Sequence, residues 1–185
     1  LKGSIMSRNG LAIAALLLFT SRVAVADVDS GPTVDKAIPP LPVKIATGDM
    51  SGESRNIAEH RGARPTVYVL VEGERFDRPA GRFLVELDKT IGQIGADWHV
   101  VAVWLGEQPD AAIERMQRIQ MSLKLPNTTF VAHDGRFPND WSIHDRASLT
   151  AVVVVNQTTR ARFGYDSVNE TCVPEVVKAV RAQAD

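Results

Sequence analysis

The run Val67-Tyr68-Val69-Leu70-Val71 constrains this chain more than any other stretch. Five consecutive apolar, mostly β-branched residues suit a strand buried on both faces of a sheet. A polar turn follows it. Phe83, Leu84, Leu87, Ile91 and Ile94 then recur at steps of one, three, four and three, the stripe of an amphipathic helix that packs back on the strand. A second buried-type run, Trp98-His99-Val100-Val101-Ala102-Val103-Trp104-Leu105, closes a strand, helix and strand unit. Its two strands are parallel and its crossover is right-handed.

Further elements follow in order. Pro109-Asp110 opens a helix carrying Ile113, Met116, Ile119 and Leu123 at helical spacing, which Pro126 ends. Residues 128–132 read as a third short strand. Residues 151–155 and 160–165 read as a hairpin, joined by a turn at 156–159 that has no Asn-Gly signal. Val173, Val176, Val177 and Val180 share one face of a closing helix with Pro174 in its first turn. Upstream, residues 27–42 hold Gly31-Pro32, Pro39-Pro40 and Pro42 and read as an extended leader with little packing of its own. Residues 41–46 form a short strand, and a Gly- and Ser-rich turn follows.

The loop between the first core strand and its helix reads Phe76-Asp77-Arg78-Pro79-Ala80. It resembles the start of the first helix in thioredoxins, which carry Trp-Cys-Gly-Pro-Cys there. On that alignment Phe76 takes the tryptophan position, Asp77 and Ala80 take the two cysteines, and Pro79 takes the proline. The upstream turn His60-Arg61-Gly62-Ala63-Arg64 resembles the one that precedes the first core strand in exported TlpA-type proteins and peroxiredoxins. The resemblance covers about residues 41–182. It implies an α/β thioredoxin-like fold, a mixed central sheet flanked by helices in the order β, α, β, α, β, β, α, with an N-terminal β-hairpin extension. It also implies a second landmark, a cis-proline before the first hairpin strand that faces the cysteine pair. Leu149, followed by Thr150, stands at that position, so the bond there is expected to be trans.

Dithiol exchange needs one thiolate to attack and a second thiol to resolve the mixed disulfide. Asp77 and Ala80 supply neither, and no cysteine lies between residues 7 and 171. Asp77 followed by Arg78-Pro79 suits an N-cap with proline in the first turn. A catalytic acid at Asp77 would need an apolar pocket and a partner, which the sequence does not identify. Cys172, the one cysteine, reads as a small half-buried side chain at the start of the last helix. Its place near a helix N-terminus keeps open a reactive thiol, and with it an alternative function as a single-thiol oxidoreductase or redox sensor.

The histidines do not have metal-ligand spacing. His133-Asp134 and His144-Asp145 would come from separate solvated loops, so no metal and no cofactor is expected. No Gly-x-Ser-x-Gly elbow and no Gly-rich phosphate loop occurs. Asn127, Asn156 and Asn169 each start a glycosylation sequon, which matters only in a eukaryotic source. Trp98 and Trp104, six residues apart, point to one face of their strand and read as core.

Residues 7–26 carry the parts of an export signal: Arg8, an apolar run from 11 to 19, and Ala24-Val25-Ala26 as a cleavage site. The run is about half the roughly 20 residues of a membrane span. The expected organisation is residues 1–26 as signal and preceding residues, 27–40 as leader and 41–185 as the domain. Cleavage removes Lys2, Arg8 and Arg22 and no acid, taking the formal charge from −1 to −4. That acidity argues against a nucleic-acid surface. The resulting expectation is an exported, periplasmic or extracellular protein with no stable membrane anchor. It is expected to be a non-catalytic binding or scaffold module, engaging a protein or extended peptide through the loop at 75–78 and the segment at 148–150.

Overall fold

The computed structural model describes residues 26–95, 97–106, 108–135 and 137–184. The expected export signal lies outside them except for Ala26. One seven-stranded mixed sheet runs through the molecule: β1 (Pro42–Ile45), β2 (Ser54–Asn56), β3 (Thr66–Glu72), β4 (His99–Leu105), β5 (Thr128–Ala132), β6 (Leu149–Val155) and β7 (Thr158–Tyr165), in the spatial order β2-β1-β5-β4-β3-β6-β7. Strands β3, β4 and β5 are parallel, while the pairs β1–β2, β1–β5, β3–β6 and β6–β7 are antiparallel. Among the described residues four α-helices accompany the sheet: α1 (Ile57–Arg61), α2 (Arg78–Ile94), α3 (Pro109–Leu123) and α4 (Val173–Arg181).

The crossovers β3–α2–β4 and β4–α3–β5 both step in the same direction across the sheet. Being right-handed, they must put α2 and α3 on one face. The core agrees. Phe83, Leu84, Leu87 and Ile91 of α2, Met116 of α3 and Val176 and Val180 of α4 share one cluster with Val67, Val69, Val100 and Trp104. Each fully buried side chain of this size contributes about 1.5–3 kcal/mol of transfer free energy. The opposite cluster is closed by Ile57 of α1 and by Trp141, whose ring meets Tyr68 edge-on at 5.5 Å and whose Nε1–H donates to the Pro40 carbonyl at 3.2 Å. Trp98, Trp104 and Trp141 are therefore all core residues.

Three expectations change. The element order implied by the resemblance has two strands after α3, but three form, as the residues themselves read: β5 pairs parallel with β4, and the hairpin β6–β7 comes afterwards. The leader does pack: Val28 bridges Gly164 and Ala37 bridges Thr158, so residues 28–37 run antiparallel along the outer edge of β7, with Ser30, Gly31 and Pro32 buried. Gly164 permits this approach, since a Cβ there would overlap the Val28 carbonyl. A strand edge that would otherwise offer unpaired backbone groups is covered. The hairpin turn is the two-residue Asn156-Gln157, with both φ values positive at 52° and 58°, the twist-matched geometry usually signalled by Asn-Gly.

Candidate site at the start of helix α2

Strand β3 delivers the chain through a single 3-10 turn, Gly73–Arg75, to Phe76 and Asp77. Asp77 is extended at φ −118°, ψ −174°, and its Oδ1 accepts the Ala80 N–H at 2.9 Å. This is an N-cap, and Pro79 follows in the first turn, where no intrahelical N–H is needed. Phe76 is fixed from below: its ring lies 5.0 Å from that of Trp104, and the Arg115 guanidinium sits 4.9 Å from the Trp104 ring centre on α3's side. Arg78 is exposed and Ala80 is buried, so the two positions aligned with cysteines carry a capping carboxylate and a core methyl.

The facing wall differs from the expectation. Leu149 and Thr150 start β6, with no cis bond among the described residues, and both are 1% exposed. Leu149 packs in the core, and Thr150 shares a 2.6 Å hydrogen bond between its hydroxyl and that of Ser30 in the leader. Neither lines the groove. Ser148 does, but its N–H already donates to the Tyr165 carbonyl at 2.7 Å, and the neighbouring Ala147 carbonyl accepts from Arg75 at 3.4 Å. Strand β6 is paired on both sides, with β3 and β7. A peptide strand therefore has no free backbone edge at 149–150.

Asp77 stands between two grooves. One, of about 660 Å³, is polar and lined by Glu74, Arg75, Asp77, Asp145, Arg146, Ser148 and Asp166. Arg75 pairs with Glu72 at 3.2 Å and Arg146 with Asp166 at 3.5 Å. The acids outnumber the arginines by two, giving a negative field. The other, about 900 Å³, lies between α2 and α3 and has an apolar floor.

Cys172 does not join this site. It is 0% exposed, inside the same core cluster as Phe83 and Tyr165, and not half-buried as expected. Burial is the largest effect on its thiol and pushes the pKa up, which disfavours the nucleophilic thiolate. His133 is buried rather than solvated, with Nδ1 2.8 Å from the Pro42 carbonyl, whereas His144 remains exposed beside Asp145. His99, at the start of β4, is half-buried against Thr129 Oγ1 at 2.8 Å.

Sequence reasoning missed the clamp that fixes α2. Asp88, 3% exposed, accepts at Oδ1 from the Asn127 N–H at 2.9 Å and the Thr128 hydroxyl at 2.7 Å, and at Oδ2 from Asn127 Nδ2 at 3.3 Å. Asn127 Nδ2 also reaches the Asp88 carbonyl at 3.2 Å, so the first sequon's amide is held inside the fold. An aspartate interrupting an apolar helix stripe was the available signal. No helix among the described residues is long and apolar enough to cross a membrane.

No family model and no curated protein sequence matches the chain. Its fold does match solved structures. A secreted thiol-disulfide isomerase from Corynebacterium glutamicum superposes with a TM-score of 0.60 at 12% identity, covering 80% of this chain and 84% of that one. A DsbF homologue from Corynebacterium diphtheriae gives 0.58 at 13% identity, covering 82% and 90%. A thiol peroxidase from Chromobacterium violaceum gives 0.57 at 10% identity, covering 87% and 91%. The chain thus has the thioredoxin-like fold of these redoxin proteins, with Phe76-Asp77-Arg78-Pro79-Ala80 where its first core helix begins and its one cysteine elsewhere.

Proposed function

We propose that this protein is an exported, thiol-independent binding module that presents the start of α2 and the polar groove beside it to a protein partner. The observation that carries this reading is the loop itself. Its helix start is intact, capped by Asp77, set by Pro79 and anchored by Phe76 on Trp104, yet it contains no sulfur. The occupied backbone at 147–150 favours recognition through side chains over strand addition. With Glu74, Asp77, Asp145 and Asp166 against Arg75 and Arg146, the groove suits a partner segment carrying Lys or Arg. Burial of Cys172 weighs against a function through that thiol. Export rests on the signal-like residues 7–26, and two structures of similar fold are described as secreted.

The test is affinity capture from the native envelope with the wild type and with an Asp145→Lys/Asp166→Lys variant. The reading expects a defined partner that the wild type retains and the variant loses, with the partner's binding weakening as salt rises. Identical capture by both proteins would remove the polar groove from the interface.

A further inference from the structure

The groove between α2 and α3 lies on the other side of Asp77 from the polar one and shares only that residue with it. Its floor is Phe76, Gly81, Val85, Ile119 and Leu123, and Val85 is one of the few large apolar side chains exposed among the described residues. Gly81 helps to hollow it: a Cβ there would touch Leu123 Cδ1 at 3.8 Å and Phe76 Cζ at 3.9 Å, so the glycine leaves space where another residue would fill it. The volume of about 900 Å³ lies within the range of small-molecule sites, which are mostly apolar with a few convergent polar groups.

Four arginines line the groove. Arg78 and Arg82 stand four apart on α2 and Arg115 and Arg118 three apart on α3, so each pair lies on one helix face. Three acids also line the groove, and each is engaged. Asp77 caps Ala80, Glu86 lies 3.7 Å from Lys89, and Glu170 pairs with Arg82 at 2.9 Å. Arg78 has no ion-pair partner among the described residues. Four arginines against three acids leave the groove net positive by one charge, on a chain whose formal charge is −1. The Arg82–Glu170 and Arg118–Glu114 pairs are exposed, and such pairs are held weakly enough for an incoming anion to compete.

We infer that this groove binds a free single-chain anionic amphiphile, with its alkyl chain on the Gly81, Val85 and Ile119 floor and its carboxylate or phosphate among the arginines. The site is independent of the partner-binding reading, and either can fail alone. Arginine suits the head group because its planar fork meets carboxylate or phosphate with two parallel hydrogen bonds.

The test is calorimetric titration of the purified protein with dodecanoate and dodecyl phosphate below their micelle concentrations, beside dodecylammonium and phosphatidylglycerol vesicles. One saturable site is expected for the anions, at least about tenfold tighter than for the ammonium. Gly81→Leu fills the groove and abolishes this binding. Arg78→Glu with Arg82→Glu weakens the anions about tenfold and narrows or reverses the preference over dodecylammonium, which a merely structural effect would not do. Arg78→Glu also places an acid in the first turn of α2, where the helix dipole favours it, so the fold is kept. Equal affinity for anion and cation, binding indifferent to Gly81→Leu, no binding, or binding to vesicles alone would each overturn the proposal.

Discussion

Helix α2 contains two glycines, Gly81 and Gly92, whose replacement by alanine should act in opposite directions. Alanine in a helix interior is favoured over glycine by about 0.8–1 kcal/mol through lower backbone entropy in the unfolded chain. At Gly81 the new methyl meets only ordinary contacts, at 3.8 and 3.9 Å, so the gain is kept. At Gly92 the methyl would stand 2.5 Å from Asn127 Nδ2 and 3.1 Å from its Cγ. The Asn127 amide must swing away and give up its bonds to the Asp88 carbonyl and Oδ2. Losing a hydrogen bond to a charged group costs about 1.5–3 kcal/mol, and the neutral one adds about 1. These bonds are long, so the low end applies, leaving a net loss of about 1–2 kcal/mol after the propensity gain. In a chain of this size about 1 kcal/mol shifts Tm by about 2–4 °C. Thermal unfolding by circular dichroism should show Gly81→Ala above the wild type by a few degrees and Gly92→Ala below it by a similar margin or more. Shifts of the same sign in both variants would refute the clamp argument.

Asp77→Ala should lower stability by about 1 kcal/mol, the usual value of an N-cap, read as a Tm decrease of a few degrees. His99 is pushed down from 6.5 to about 4, first by burial and then by Arg61 and Arg64. Between those pH values the unfolded chain binds a proton that the folded one refuses, so stability falls as pH drops from about 6.5 to about 4. The full conversion is about 3 kcal/mol, and partial exposure of the ring reduces it to on the order of 1–2. Denaturant midpoints for wild type and His99→Gln should converge as pH falls through this window, and a constant difference would contradict the assignment.

Where a single element carried its own pattern, the sequence was sufficient. The apolar run of β3, the stripe of α2 and the valine face of α4 bury the side chains their spacing indicates, apart from half-buried Ile94 at the end of α2, because β3 lies inside a continuous sheet and the helices pack against it. The capping geometry of Asp77 was equally local. What was hidden depended on distant partners. Burial of Ser30 and Pro32 comes from the unpaired edge of β7, which no feature of the leader itself announces. The Thr150 hydroxyl points to Ser30 and not into a groove because β6 is paired on both sides within the sheet and alternates its faces. The arginine-rimmed groove arises from α2 and α3 sharing one sheet face, a consequence of crossover direction that a list of helices does not contain. Cys172 looked half-buried from its position at a helix start, yet the turn before α4 folds it inward against the core.

The central claim is that this thioredoxin-like fold works without a thiol. The most direct measurement is alkylation of Cys172 on the folded protein across pH, run beside dithiothreitol-driven reduction of insulin. Labelling no faster than global opening of the fold, with insulin reduction at the uncatalysed rate, is the predicted result. Rapid labelling near neutral pH together with turnover that Cys172→Ala abolishes would contradict it.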